Sequence, residues 1–181
     1  MFCLTMLPKV LKSETVYRGR AFNVRVDEIE IRPGQNARLD IVEHPGAVTM
    51  LPLDHANNLW FIRQYRHSAG EVMLELPAGT LEPGEAPEAG AARELQEEIG
   101  MRAGKLERLC GFWLAPGYST EFMHVYLATG LTPSQLEQDE DEIITVEKVP
   151  VARALALAES GEVRDSKSLV SLFVAARRLG W

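Results

Sequence analysis

Apolar and polar positions alternate with period two within residues 15–43, at Val24 and Val26 and again at Ile29 and Ile31, which predicts extended chain. Pro33-Gly34-Gln35-Asn36 interrupts the run as a turn. Two or three strands cannot enclose a core unaided, so this β-rich N-terminal lobe, residues 1–44, is expected to pack on the rest of the chain, on a second copy, or on both. His44-Pro45-Gly46 marks its boundary. Strand-like runs follow at 47–54 and 59–66 around the turn 55–58, a hairpin signal, and then at 71–76, 105–115, 121–129 and 143–149. Three stretches read as helix. The first begins near Pro87 and stops at Gly100, the second runs from Pro150 to Ser160, and the third from about Ser166 to Leu179. Asp165 or Ser166 caps the third, and Leu169, Leu172, Phe173 and Ala176 supply its apolar stripe. Strands interleaved with helices predict the α/β class, an α/β/α sandwich on a mixed sheet over residues 45–181 with the small β-sheet lobe in front.

Composition narrows the partners. At 181 residues the chain suits one main domain with a small extra lobe. A net charge of −7 and the lack of any Lys/Arg-rich run argue against nucleic acid as a partner, because no cationic stripe exists to release its counterions. No stretch is long enough to span a membrane, and the opening MFCLTML is too short for the core of a signal peptide, so a cytoplasmic protein is expected. Cys3 and Cys110 give neither a disulfide framework nor a CxxC metal signature.

The chemistry concentrates between Gly79 and Met101. At about 100° per residue, Glu94, Glu97 and Glu98 fall on one side of the first helix and Ala92, Leu95 and Ile99 on the other. Taken alone, such an acidic run is either a solvated face or a cation site. Arg93 stands four residues before Glu97 and is placed to pair with it. Three carboxylates this close repel one another, and a hard divalent cation resolves that repulsion. Mg²⁺ is the first choice, because it prefers oxygen ligands and keeps waters that a phosphate can displace.

The frame around these glutamates is more particular than the glutamates themselves. Gly79, Glu85, Arg93-Glu94, Glu97-Glu98 and Gly100, with apolar Leu95 and Met101, fall at every defining position of the Nudix box, so the chain resembles the Nudix hydrolases. That resemblance implies cleavage of a nucleoside diphosphate linked to another moiety. Ala115-Pro116-Gly117-Tyr118-Ser119-Thr120-Glu121 resembles a segment shared by ADP-ribose pyrophosphatases, and Arg18-Gly19-Arg20, residues 42–48, Arg63-Gln64-Tyr65-Arg66 and Leu76-Pro77-Ala78-Gly79 extend the likeness over most of the chain. Ala115 departs from the serine that many members carry.

By this resemblance the carbonyl of Ala78, with Glu94 and Glu98, is implied to hold metal, with Glu97 a ligand or near ligand. Arg66, Gly117 and Glu121 are implied substrate contacts, although Arg66 alone reads equally as a surface strand charge. The N-terminal lobe is implied to be exchanged across a homodimer, bringing Arg20 to a partner's ligand. Glu140 and Glu142 lie where the family keeps its mobile catalytic glutamate, and otherwise read as a solvated acidic loop. The expected reaction is Mg²⁺-dependent hydrolysis of ADP-ribose to AMP and ribose 5-phosphate, with Mn²⁺ or Zn²⁺ as alternative metals. GDP-mannose, FAD or a dinucleoside polyphosphate is the alternative small-molecule nucleotide substrate, and a nucleotide-sugar sensor without turnover the alternative role.

Overall fold

A computed structural model describes residues 7–137 and 143–181. The chain forms two compact units, Met1–Pro45 with Trp113–Glu121 and Gly46–Phe112 with Phe122–Trp181.

The smaller unit contains an antiparallel meander of β1 (Lys9–Arg18), β2 (Asn23–Arg32) and β3 (Gln35–Glu43). Its first strand begins well before residue 15, where the alternation becomes legible. The β2–β3 turn uses Gly34 at φ 77°, a conformation glycine enters without steric cost. Arg25 ties the far end together, donating to both Asp27 oxygens at 2.9 and 3.0 Å and to Glu43 Oε1 at 2.5 Å. The segment 113–121 is stitched to the end of β3: Val42 N donates to the Tyr118 carbonyl at 2.8 Å, Thr120 N to the Val42 carbonyl at 2.9 Å, and His44 N to Thr120 Oγ1 at 2.9 Å. Val10, Leu11, Val16, Tyr17, Ile31 and Leu39 are all exposed on these strands.

The larger unit runs β4 (Ala47–Pro52), β5 (Asn58–Arg66), β6 (Glu71–Glu75), β7 (Ala78–Thr80), α1 (Pro87–Ile99), β8 (Met101–Arg102), β9 (Lys105–Trp113), β10 (Phe122–Thr129), β11 (Thr132–Pro133), β12 (Ile144–Pro150), α2 (Val151–Glu159) and α3 (Ser166–Leu179). One sheet has the order β7-β4-β10-β9, with β4 and β10 parallel; a second has the order β12-β5-β6; β8 and β11 form a two-stranded ladder. The hairpin expected of 47–54 and 59–66 is thus corrected: β4 and β5 enter different sheets, bridged at Leu53 and Leu59. Asp54 bends the chain between them, with Oδ1 accepting from the Ala56 and Asn58 amides and Oδ2 from the Trp60 indole, and Asn57 takes φ 62°.

Alternation along the strands divides the apolar residues into two cores. Val48 and Met50 of β4, Ile62 of β5 and Tyr126 of β10 pack with Ala91, Leu95 and Ile99 of α1. Ala47, Leu51, Leu59, Phe61 and Val125 face the other way and pack with α2 and α3. This is the α/β/α arrangement, with each fully buried Leu or Phe contributing roughly 2–3 kcal/mol of transfer free energy.

On α3 the inward stripe is Ser168, Ser171, Leu172 and Ala175, and Phe173 lies 47% exposed. The expected stripe is therefore turned by about one residue. Ser168 lies inside because its Oγ accepts from the Leu76 amide at 2.7 Å, a bond an apolar side chain cannot make.

Candidate active site

Helix α1 carries most of the predicted site. Pro87 opens it, where a missing N–H costs nothing, and Gly100 closes it at φ 65° with its amide on the Leu95 carbonyl. Ala91, Leu95 and Ile99 form its core-facing row. Ala91 holds the position expected of Ala92, which is half-buried. The acidic side is not a solvated face: Glu94 and Glu98 are only 8% and 2% exposed.

They are buried because the strap 75–80 crosses them, anchored at successive residues. The Pro77 carbonyl accepts from Met50 N at 2.9 Å and Thr49 Oγ1 at 3.1 Å, which fastens the strap to β4. The Ala78 amide donates to Glu98 Oε2 at 2.8 Å. Gly79 lies directly against Glu94, so close that an added Cβ would stand 1.9 Å from its carboxyl carbon. The Thr80 carbonyl accepts from Arg93 Nη2 at 3.1 Å.

Arg93 gathers the carboxylates. Its Nη1 donates to Glu94 Oε1 at 2.7 Å and Glu97 Oε2 at 2.8 Å, while Nε and Nη2 fork onto Glu85 at 3.0 and 2.9 Å. The Glu85 bonds, foremost, raise the guanidinium above its ordinary pKa, and Arg93 in turn holds the Glu85 carboxyl below its own. One guanidinium among Glu85, Glu94, Glu97 and Glu98 leaves the group strongly negative. Its donors are all hard oxygens, which suits Mg²⁺ or Mn²⁺ better than a softer metal. Among the described residues no three His, Cys, Asp or Glu side chains are already gathered as a metal cage. Of this group, Glu94 and Glu98 are the two buried carboxylates.

Arg66 belongs to a neighbouring cluster. It forks onto Glu75, with Nε to Oε1 at 2.9 Å and Nη2 to Oε2 at 2.8 Å, and Lys167 Nζ also donates to Glu75 Oε2. Lys167 reaches Asp165 Oδ1 at 2.8 Å as well, and Asp165 caps α3 through the Ser168 amide. Burial works to raise the Glu75 carboxyl, but the bonds from Arg66 and Lys167 outweigh it and hold the group below its ordinary 4.5.

Arg20, Gly117 and Glu121 fall in the smaller unit. Arg20 and Gly117 are exposed there, and Glu121 is half-buried, its carbonyl accepting from Leu114 N at 3.1 Å. Glu140 and Glu142 lie outside the described residues. The sequence pattern had not marked Glu75, Lys167 or Ser168. A glutamate at the end of a strand, just before Leu-Pro-Ala-Gly, was the available signal, because an acid in a run bound for the interior needs cationic partners.

Glu94 and Glu98, buried on α1 beneath the strap at Ala78 and Gly79, make this an acidic, strap-covered site on an α/β unit. The NUDIX domain family matches residues 43–171, and the chain belongs to that family. It is 37% identical over 166 residues to an ADP-ribose pyrophosphatase of Bacillus subtilis, spanning 91% of this chain and 90% of the relative. It is 34% identical to a methanol dehydrogenase activator of Bacillus methanolicus over the same shares. Among solved structures, an ADP compounds hydrolase superposes with a TM-score of 0.86 at 29% identity, covering 97% of this chain and 95% of the other.

Proposed function

We propose that this chain hydrolyses ADP-ribose to AMP and ribose 5-phosphate with a divalent cation, Mg²⁺ first, at Glu94, Glu98 and the Ala78 carbonyl. The observation that carries this reading is the burial of Glu94 and Glu98 against the strap at Ala78 and Gly79, which fixes two charged oxygen donors side by side. The similarity to an ADP-ribose pyrophosphatase and to an ADP compounds hydrolase supports the substrate.

A bound cation would neutralise diphosphate oxygens and acidify the attacking water. The protein's own residues do the rest. Arg93 holds the Glu94 and Glu97 carboxylates in fixed directions, so no reorientation is needed when substrate arrives. Glu97 stands as a ligand or near ligand, and Arg66, Gly117 and Glu121 as substrate contacts. Glu140 or Glu142 takes the proton from the attacking water. The site is completed in a homodimer to which Arg20 of one protomer contributes.

The test is a turnover assay scoring AMP release from ADP-ribose with Mg²⁺ and with EDTA, beside GDP-mannose, FAD and a dinucleoside polyphosphate. ADP-ribose is expected to be the best substrate and EDTA to abolish turnover. Glu98→Gln is expected to cost at least about 10²-fold in kcat, since it removes a charge made for the cation while its amide oxygen can still accept from Ala78 N. Near-wild-type kcat for Glu98→Gln at saturating Mg²⁺ removes the metal assignment.

A further inference from the structure

Between β6 and β7 the chain changes sheets within two residues. Glu75 still pairs with Ile62 of β5, and Ala78 already pairs with Thr49 of β4, so Leu76 and Pro77 belong to neither ladder. Pro77 has no N–H to offer, and its ring confines the backbone of Leu76 to extended conformations. The crossover is therefore short and stiff, and its direction depends on the bonds made at these two residues. Pro77 is fixed through its carbonyl, by Met50 N and Thr49 Oγ1 on β4. Leu76 is fixed through its amide, which donates to Ser168 Oγ at 2.7 Å, and Leu76 and Ser168 are both fully buried. Ser168 is itself held in the first turn of α3. Its amide donates to Asp165 Oδ1 at 3.3 Å, and the adjacent Lys167 donates to Asp165 and to Glu75, the residue before Leu76. Two residues past Leu76, Ala78 bonds Glu98 through its amide.

We infer that Ser168 is a positioning residue for the cation site: by holding the Leu76 amide, it sets where the strap delivers Ala78 to Glu98. The inference rests on the reading of Glu94, Glu98 and the Ala78 carbonyl as the groups that hold a divalent cation. Leu76 to Ala78 spans about 7 Å, so a tilt of about 5° at Leu76 moves Ala78 by roughly 0.6 Å. That exceeds the tolerance of about 0.2 Å on a metal–ligand distance. Without the Ser168 hydroxyl a buried N–H loses its acceptor, and the strap shifts until the amide meets water or another oxygen. The bonds to the Pro77 carbonyl persist, so the strap tilts and is not released. Ser171 supplies a comparison on the same helix. It lies about one turn further along α3 and is equally buried, but its Oγ meets no hydrogen-bond partner among the described residues.

The two serines give the test. Mn²⁺ binding to the substrate-free protein is measured by electron paramagnetic resonance, well below the melting temperature, for wild type, Ser168→Ala, Ser168→Cys, Ser171→Ala and Glu98→Gln. Groups that directly orient a metal ligand are commonly worth about 10–100-fold in affinity. Ser168 acts one step further out, so Ser168→Ala is expected to weaken Mn²⁺ binding about threefold to tenfold. The Mg²⁺ concentration that gives half-maximal hydrolysis of ADP-ribose should rise by the same factor. Ser168→Cys, whose sulfur is a weak acceptor, is expected to fall between wild type and Ser168→Ala, and it carries the test if Ser168→Ala does not fold. Ser171→Ala should bind Mn²⁺ as wild type does. Wild-type Mn²⁺ affinity in whichever of the two Ser168 variants carries the test, or an equal loss in Ser171→Ala, overturns the inference. If Glu98→Gln loses Mn²⁺ while the Ser168 variant keeps it, this inference alone falls. A wild type that binds no Mn²⁺, or a Glu98→Gln that binds it as wild type does, removes the reading of the site first and this inference with it.

Discussion

At the residue scale the site depends on contacts too short to tolerate one added carbon. Gly79 has no unusual backbone angle; it is required because its Cα lies against the Glu94 carboxylate, which is itself held by Arg93 and cannot swing away freely. Gly79→Ala should therefore displace Glu94 rather than unfold the chain. The expected outcome is a kcat lower by about 10²-fold, the usual scale for a 1 Å misplacement. The melting temperature should fall by less than about 5 °C, because the displaced group is a side-chain tip and not backbone. Kinetics and thermal melts on the same preparation check this, and a large melting shift with intact kcat per folded molecule contradicts it. The sequence marked Gly79 as a fixed position of a motif. The reason it must be glycine is a tertiary contact between a strap and a helix.

At the element scale, β6 and the start of α3 are joined by buried charge. Glu75 bonds Arg66 and Lys167, and the Leu76 amide bonds Ser168, so the end of one strand is fastened to the first turn of a helix ninety-two residues on. Removing the Glu75 charge should cost about 2–3 kcal/mol near pH 7, below the range for fully buried pairs because Arg66 is partly solvated. The sign with pH follows from the depressed carboxyl. Its contribution is complete above the unfolded value near 4.5 and is lost as pH falls through the lower folded value. Melting curves between pH 7 and pH 3 should show the gap between wild type and Glu75→Gln closing below about pH 4.5. A gap that stays constant across that range would show that Glu75 acts by packing alone.

At the scale of the whole molecule, the N-terminal strands leave Val10, Leu11, Val16, Tyr17, Ile31 and Leu39 exposed, and a three-stranded sheet gains stability by packing an apolar face. We propose that a second copy covers them in a homodimer. The full chain is then expected to scatter light as a dimer. A chain lacking residues 1–44 should be monomeric and at least about 10²-fold less active if Arg20 serves the site. A fully active monomer at assay concentration contradicts the assembly. Across the described residues no helix is long and apolar enough to cross a membrane.

The sequence by itself determined the periodic elements and the motif. Local signals placed α1 between Pro87 and Gly100 and narrowed the cap of α3 to Asp165 or Ser166, of which the structure uses Asp165, because caps and stops act within one turn. The fixed spacing from Gly79 to Gly100 singled out Glu94, Glu97 and Glu98. Only the tertiary structure decided that Glu94 and Glu98 are buried, since spacing along the chain does not show that the strap just before α1 folds back over its acidic side. It also decided that β4 and β5 part into separate sheets and that 113–121 joins the N-terminal strands, where pairing partners are far apart in sequence. The Glu75–Lys167 pair was illegible for the same reason: a buried charge is recognised by its partner, and the partner lies on an element whose position no local pattern encodes.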